Sequence, residues 1–263
     1  MQQFQQSMDV IGNNIANVNT TGFKGARIEF EDALSQTLGG PGPGGSMQVG
    51  TGVGTGSISN EFVQGAITQT GVGTDMAISG NGFFQVHDTV SGAYFVTRAG
   101  DFHLDSGGYL VTSDGMRVQG YNDEGLTTRG DIQINDPNAA AGSSDVVDSF
   151  SIDKTGVITA KLSDGTEFTR GQILLQNFQN PQALVKEGNN LYSAGTSAGP
   201  LSQTEAPGSN GMGYIQSNSL EMSNVDLANE FASIITTQRA FQASARVITT
   251  SDEILQELVN LKR

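Results

Sequence analysis

The feature that most constrains the fold is a heptad stripe close to the C terminus. Its positions keep a four-three spacing for about five heptads, which predicts one long amphipathic helix with a supercoiling seam. The stripe consists of Leu227, Phe231, Ile234, Gln238, Phe241, Ala245, Ile248, Asp252, Leu255 and Val259. The two polar members can set the register of paired helices. We expect Ser223 or Asn224 to cap this helix at its start.

A second and shorter stripe lies at the N terminus. Its apolar residues recur at the same spacing, and they are Phe4, Met8, Ile11, Ile15 and Val18. This spacing predicts an amphipathic helix that ends between Asn17 and Gly22, where turn-forming residues follow. We expect the two terminal helices to pair as a coiled coil.

The two predicted helices are unequal in length. At 1.5 Å per residue the C-terminal helix measures about 57 Å, whereas the N-terminal helix reaches about 26 Å. Half of the long stripe therefore lacks a partner in the same chain. Either neighbouring subunits cover the exposed half, or the helix continues upstream of Met1. A head-to-tail contact of this kind, repeated without closure, builds a helical filament or tube.

The residues between the helices predict mainly β structure. A short amphipathic segment at residues 28–38 would complete an N-terminal helical region over residues 1–38. Half of residues 39–56 are glycine, which predicts a linker or arm without regular structure. Runs of β-formers separated by turn pairs predict antiparallel hairpins over residues 57–213, in two sets that divide near residues 122–149. With a C-terminal helical region over residues 214–263, the expected fold class is α+β.

Composition argues against several functions. The net charge of −14 and the scattered cations argue against nucleic acid as a partner. The absence of cysteine excludes disulfides, thiolate metal sites and cysteine nucleophiles. No apolar run approaches the roughly 20 residues that span a bilayer, so we expect no membrane insertion. The start also lacks the pattern of a cleavable signal peptide, so export would use another route.

No group of residues predicts a catalytic or metal centre. His87 and His103 are the only histidines, and neither lies in a cluster with metal-ligand spacing. Asp101, Asp105 and Asp114 lie near glycines, but their spacing does not fit a calcium-binding loop, and hairpin turns explain them. We therefore expect a protein that is not an enzyme and binds no cofactor.

Three parts of the chain resemble the flagellar hook and basal-body rod family. Residues 8–24 read MDVIGNNIANVNTTGFK, which is similar to the N-terminal signature of that family. Residues 223–227 and 237–243 read SNVDL and TQRAFQA and are similar to its closing helix. Residues 75–84 read DMAISGNGFF and resemble the opening of its β domain. The three parts occur in the family's order and span almost the whole chain.

The resemblance implies an axial structural subunit of the bacterial flagellum, exported by the type III apparatus and assembled with its own copies into a tube. Its terminal helices would form an inner coiled-coil tube, and its β domain would face outward. The other partners implied are adjacent rod proteins, the hook cap and the hook–filament junction. The strings RVQGY at 117–121, NVDL at 224–227 and LVNL at 258–261 resemble hook proteins, whereas the length resembles a distal-rod protein. We expect a hook protein, with a distal or proximal rod protein as the alternative.

The assembly surface is expected on the two terminal helices. The residues predicted to form it are Phe4, Met8, Ile11, Asn13, Asn14, Ile15, Asn17, Leu227, Phe231, Ile234, Gln238, Phe241, Ile248, Leu255 and Val259. Its three asparagines are poor helix formers, so they are either tolerated there or donate hydrogen bonds to neighbouring subunits. Composition alone also allows a secreted β-rich binding module, which would not need apolar helices at both ends. A glycan hydrolase is a further alternative, although no specific pair of carboxylates stands out.

Overall fold

The computed structural model describes residues 1–37, 48–135, 147–195, 197–199 and 204–261. The chain divides into two compact units. The helical unit comprises Met1–Val18, Gly25–Glu61 and Val225–Arg263, and the β unit comprises Asn19–Lys24 and Phe62–Asn224. The expected α+β class, with a β-rich middle and a helix towards each chain end, is confirmed.

Two helices belong to the helical unit. Helix α1 spans Gln2–Ala16 and helix α2 spans Leu227–Leu261, and the two are in contact. Helix α1 ends just before the range predicted from the turn-forming residues. Within the described residues, neither helix has an apolar stretch of the length and hydropathy that a bilayer crossing needs. A supercoil between the two helices stays a prediction.

The start of α2 lies further along the chain than expected. The side chain of Asp226 accepts a hydrogen bond from the backbone N–H of Ala228 at 2.9 Å, which makes Asp226 the N-cap. The prediction of Ser223 or Asn224 was therefore wrong. The side chain of Asn224 instead donates a hydrogen bond to the backbone oxygen of Val63.

The helical unit also contains a long two-stranded ribbon. Strand β1, Ala26–Asp32, pairs antiparallel with β4, Val53–Asn60. Strand β2, Ser35–Thr37, pairs with β3, Gln48–Gly50. A bulge between Glu29 and Phe30 shifts the register of the longer pair.

The ribbon corrects two expectations. Residues 28–38 were predicted as an amphipathic helical piece, but their described part carries β1 and β2. The order of Ile28, Glu29, Phe30 and Glu31 alternates apolar and acidic side chains, which is the period of a strand. Residues 39–56 were predicted to lack regular structure, but β3 and the start of β4 occupy the described part of that range. The rest of it, residues 39–47, lies outside the described residues.

The β unit is built from short strands that pair antiparallel. Its strands are β5 Ile67–Gln69, β6 Met76–Ser79, β7 Phe83–His87, β8 Tyr94–Thr97, β9 His103–Leu104, β10 Leu110–Val111, β11 Arg117–Tyr121, β12 Arg129–Asp131, β13 Val147–Ile152, β14 Val157–Leu162, β15 Glu167–Ile173, β16 Leu175–Gln176, β17 Leu184–Gly188, β18 Leu191–Ala194, β19 Thr204–Glu205, β20 Tyr214–Ser217 and β21 Ser219–Glu221. One turn of 3₁₀ helix, Pro181–Ala183, precedes β17.

The main sheet joins both halves of this unit. Its described strands run in the order β13-β14-β15-β11-β7-β8-β18-β17. Because β11 pairs with both β15 and β7, the two predicted hairpin sets share one sheet. The last two strands pair back onto early ones, β20 with β6 and β21 with β5.

Two apolar clusters form the core of the β unit. The larger one includes Phe84, Leu110 and Ile173, each with an exposed fraction of 0%. The smaller one includes Phe83 and Tyr192. Neighbouring residues Phe83 and Phe84 belong to different clusters because successive side chains of a strand point to opposite faces.

Candidate assembly surface

Helix α2 is partly covered in its first half and exposed throughout its second half. Ile234 and Phe241 are half-buried, and the small residues Ser244 and Ala245 continue the covered stripe. From Arg246 to the end of the described helix, every side chain is exposed. None of the described side chains of α2 is fully buried.

The exposed second half is strongly apolar on one side. Its large apolar side chains are between 52% and 82% exposed, and they are Val247, Ile248, Ile254, Leu255, Leu258, Val259 and Leu261. We call this set the exposed stripe. Scattered exposed apolar residues are ordinary on a protein surface, but a contiguous apolar face indicates a contact with another surface. Three of the residues predicted for assembly, Ile248, Leu255 and Val259, belong to it.

The other predicted residues of α2 lie in its first half. Leu227 and Phe231 are 38% and 51% exposed, although Glu230, in the same half of the helix, accepts a hydrogen bond from Asn14 of α1. Gln238, predicted within the seam, is also exposed. These three side chains therefore remain available for contacts with other chains.

The predicted apolar residues of α1 pack within the helical unit. Ile11 is buried, and Phe4, Met8 and Ile15 are half-buried. The ring of Phe4 meets the ring of Phe30 edge-to-face, with 6.4 Å between the centroids. Such aromatic pairs add to the stabilisation from buried area. This packing holds α1 against the ribbon.

The three predicted asparagines have different surroundings. The Asn14 side chain is buried; its amide nitrogen donates to the backbone oxygen of Ala26 and to Glu230 Oε1, both at 2.9 Å. Its oxygen accepts a hydrogen bond from the backbone N–H of Ala26 at 3.0 Å. Asn14 thus has an intrachain role that the sequence did not suggest. The amide of Asn17 donates to the backbone oxygen of Asn13 at 2.9 Å, one helical turn earlier. A role for Asn13 and Asn17 between subunits stays a prediction.

The β unit contains a buried charge cluster that was missed from the sequence. Lys24 Nζ lies 2.6 Å from Glu221 Oε1, and Arg98 Nη1 lies 3.2 Å from Glu221 Oε2. The side chains are 0%, 0% and 5% exposed for Lys24, Glu221 and Arg98. Burial lowers the pKa of both cations, while attraction to Glu221 opposes the shift. Lys24 lies in one of the recognised motifs, but no local pattern marks Arg98 or Glu221 as its neighbours.

The two histidines have different surroundings. His87 Nδ1 lies 3.2 Å from Asp131 Oδ1, and Arg117 Nη1 lies 3.0 Å from Asp131 Oδ2. His103 is exposed. Across the described parts of the chain, no three side chains of the kinds that bind metals come together.

Comparison with known proteins identifies the family. Residues 1–24 match the description "Flagella basal body rod protein", residues 77–160 match "Flagellar hook protein FlgE/F/G D1 domain", and residues 216–261 match "Flagellar basal body rod FlgEFG protein C-terminal". The flagellar basal-body rod protein FlgG of Bacillus subtilis is 43% identical, with 100% of this chain and 96% of the relative covered. The chain belongs to the flagellar hook and basal-body rod family.

Other relatives extend across the same family. The flagellar basal-body rod protein FlgG of Agrobacterium fabrum is 37% identical, covering 95% of this chain and 91% of the relative. The flagellar hook protein FlgE of Borreliella burgdorferi is 27% identical over 433 aligned positions, covering 100% of this chain and 97% of the relative. The family resemblance predicted from the three sequence motifs is confirmed. The chain is an axial structural protein of the bacterial flagellum, and its relatives are structural proteins rather than enzymes.

Proposed function

We propose that the chain is a subunit of the flagellar basal-body rod, in its distal part, rather than of the hook. The observation that carries this proposal is the whole-length likeness to rod proteins, which reaches 43% identity. The hook relative needs 433 aligned positions for a chain of 263 residues, so it contains a long insertion that this chain lacks. The hook function favoured from the sequence strings is therefore replaced by its alternative.

We further propose that assembly buries the exposed stripe of α2 against helices of neighbouring copies. Support comes from continuity, because the heptad spacing runs without a break from the first half of α2, where Glu230 bonds to Asn14 of α1, into the exposed second half. A helix in a coiled coil places its apolar stripe against a partner over its whole length. The repeated contact would be head-to-tail, and such contacts build tubes.

Burial of the exposed stripe would contribute a favourable free energy to assembly. Full burial of one Leu, Ile or Val side chain contributes about 1.5–3 kcal/mol. The exposed stripe offers seven such side chains per copy, and their burial works against the free-energy cost of association. The net charge of −14 keeps free copies apart until these specific contacts form.

Assembly can be tested with charge substitutions on the two sides of α2. Leu255→Asp and Val259→Asp place a carboxylate in the exposed stripe, and burial of that charge would prevent polymer formation. Thr249→Asp is the matched control, because Thr249 lies on the polar side with Glu253 and Gln256. We expect electron microscopy to show tubes for the control and none for the stripe variants. Tubes of normal length from both stripe variants would refute the proposed contact.

Rod and hook functions are distinguished by loss of the gene. A strain that lacks a distal-rod subunit should yield basal bodies with neither a complete rod nor a hook, because the hook would have no rod on which to assemble. A strain that lacks a hook protein should keep a complete rod. Electron microscopy of isolated basal bodies separates the two outcomes, and a complete rod without a hook would restore the hook function.

The remaining partners follow from this proposal. We propose that the subunit polymerises with its own copies, contacts adjacent rod and hook proteins, and is delivered by the type III export apparatus. The hook cap and the hook–filament junction, expected for a hook protein, are not partners of a rod subunit in this proposal.

A further inference from the structure

Glu221 holds together three parts of the β unit that are far apart in the sequence. Its Oε1 atom accepts hydrogen bonds from Lys24 Nζ at 2.6 Å and from the backbone N–H of Gly65 at 2.9 Å. Its backbone oxygen accepts the N–H of Gly22 at 2.7 Å. Lys24 Nζ donates a further hydrogen bond to the backbone oxygen of Val63 at 2.8 Å. Residues 22–24 and 63–65 therefore meet at Glu221, whose carboxylate accepts from Lys24 and Gly65 and whose backbone oxygen accepts from Gly22.

The cluster contains more positive than negative side chains. Two cations, Lys24 and Arg98, share one carboxylate. Arg98 also makes contacts that do not involve Glu221. Its Nη2 atom donates to the backbone oxygen of Gly80 at 2.8 Å, and its Cζ atom lies 5.2 Å from the centroid of the Phe83 ring. Removal of Glu221 would leave two buried cations without a counter-charge, whereas removal of Lys24 would leave a balanced pair. An unpaired buried charge costs far more than a lost hydrogen bond.

Glycines allow the three segments to approach this closely. A Cβ atom on Gly65 would lie 2.0 Å from the backbone oxygen of Met222. A Cβ atom on Gly22 would lie 2.4 Å from the backbone nitrogen of Ala99, and Gly22 also has a positive φ of 66°. Any other residue would force the backbones apart.

We propose that Glu221 is the centre of a latch that fastens residues 22–24, residues 63–65 and Glu221 to one another within the β unit. The latch comprises Lys24, Arg98 and Glu221 together with the backbone of Gly22, Val63 and Gly65. In the sequence, residues 19–24 follow the α1 part of the chain and residues 221–224 precede α2. The latch thus ties together, inside the β unit, the stretches at which the chain enters and leaves that unit in the sequence. This inference does not rest on the proposed function as a rod subunit.

Hydrogen exchange in the full-length chain tests the latch. We compare Glu221→Gln, Lys24→Met and the double variant, and measure exchange at the amides of Gly22 and Gly65, which bond to Glu221. The amide of Leu110, which donates to the backbone oxygen of Ile132 within the core, serves as the internal reference. Glu124→Gln, which changes an exposed carboxylate of the same unit, is the matched control.

Because two cations share one carboxylate, the variants should differ in how much they speed amide exchange. Glu221→Gln should speed exchange at Gly22 and Gly65 by about tenfold or more, because two cations lose their partner. Lys24→Met should have a smaller effect, and the double variant should be closer to wild type than Glu221→Gln alone. Leu110 should keep its protection in all variants. If Glu221→Gln and Lys24→Met speed exchange at Gly22 and Gly65 equally, the charge argument is overturned. If Leu110 loses as much protection as Gly22 and Gly65, the latch is overturned.

A second set of variants covers the case in which Glu221→Gln does not fold. Lys24→Met retains the Arg98–Glu221 pair, so it should fold and still show faster exchange at Gly22. Lys24→Arg restores a cation at this position and should return exchange towards wild type. An unchanged Gly22 amide in Lys24→Met would show that the latch does not fasten the segment that carries it.

Discussion

The amide nitrogen of Asn14 on helix α1 donates a hydrogen bond to Glu230 Oε1 on helix α2 at 2.9 Å. The two residues are separated by 216 positions in the sequence. The same nitrogen donates to the backbone oxygen of Ala26 at the start of β1. One buried side chain therefore connects α1, α2 and the ribbon of the helical unit.

Asn14→Asp should weaken this connection strongly. The new carboxylate would lie beside Glu230 and would lose both donated hydrogen bonds, at a cost of roughly 2–3 kcal/mol. Urea unfolding followed by helix circular dichroism measures the change. Asn13→Asp, on the exposed side of the same turn, is the control and should cost only a few tenths of a kcal/mol. Adding Glu230→Gln to Asn14→Asp should recover part of the loss, and no recovery would argue against charge repulsion as its cause.

Gly100→Ala should destabilise the β unit severely. A Cβ atom at position 100 would lie 1.6 Å from the backbone oxygen of Met76. The backbone N–H of Met76 also donates a hydrogen bond to the backbone oxygen of Gly100. Backbone atoms on both sides would have to move, which we expect to cost roughly 3 kcal/mol or more. Thermal unfolding provides the measurement. Gly73→Ala is the control, since its nearest neighbour would be the Phe150 ring at 3.9 Å; equal stability of the two variants would contradict the steric argument.

Tyr192→Phe should leave stability unchanged or raise it slightly. The Tyr192 hydroxyl is buried in the smaller core cluster and has no hydrogen-bond partner among the residues that the structure describes. Burial also raises the pKa of this phenol. A buried polar group without a partner costs about 1–3 kcal/mol, and phenylalanine keeps the ring contacts with Phe62 and Phe83. Calorimetric unfolding checks this, and a clear drop in the midpoint would indicate that the hydroxyl has a partner in solution.

Asp131 should contribute a stabilisation that is lost in acid. Burial raises its pKa, but hydrogen bonds from Gln119 and Arg117 and the nearby His87 outweigh this and hold the pKa below the usual value of 3.8. A carboxyl group with a lowered folded pKa stabilises the fold above the unfolded value, and this contribution disappears as the pH falls through the folded value. We expect wild type to be more stable than Asp131→Asn above about pH 4, with the difference shrinking at lower pH. A difference independent of pH would rule out this linkage.

The sequence predicted the elements whose signal is local and repeated. The spacing of Phe231, Ile234 and Phe241 recurs over many turns, so it indicated α2 although the cap was misplaced. The prediction of the N-cap was wrong because Asn224 and Asp226 are both good capping residues, and only tertiary contacts decide between them. Asn224 bonds to Val63 instead.

Other features depended on partners that no local pattern reveals. The alternation around Phe30 was mistaken for a helix because the partner strand begins at Val53, beyond a glycine-rich stretch. The glycine content of residues 39–56 predicted no regular structure there. Gly54 and Gly56 nevertheless lie in β4, close to the Glu31 side chain. The intrachain role of Asn14 and the pairing of Arg98 with Glu221 likewise depend on contacts between distant segments. Hydrophobic periodicity says little about such polar contacts.

The separation of Lys24 from Glu221 also has a kinetic consequence. The pair spans 197 positions, so its formation closes most of the chain into a loop. Contacts of such long range slow folding, because the entropy of loop closure is lost before the contact stabilises anything. During synthesis, which proceeds from the N terminus, Lys24 is without its carboxylate until residue 221 has been added. Completion of folding therefore waits for nearly the entire chain.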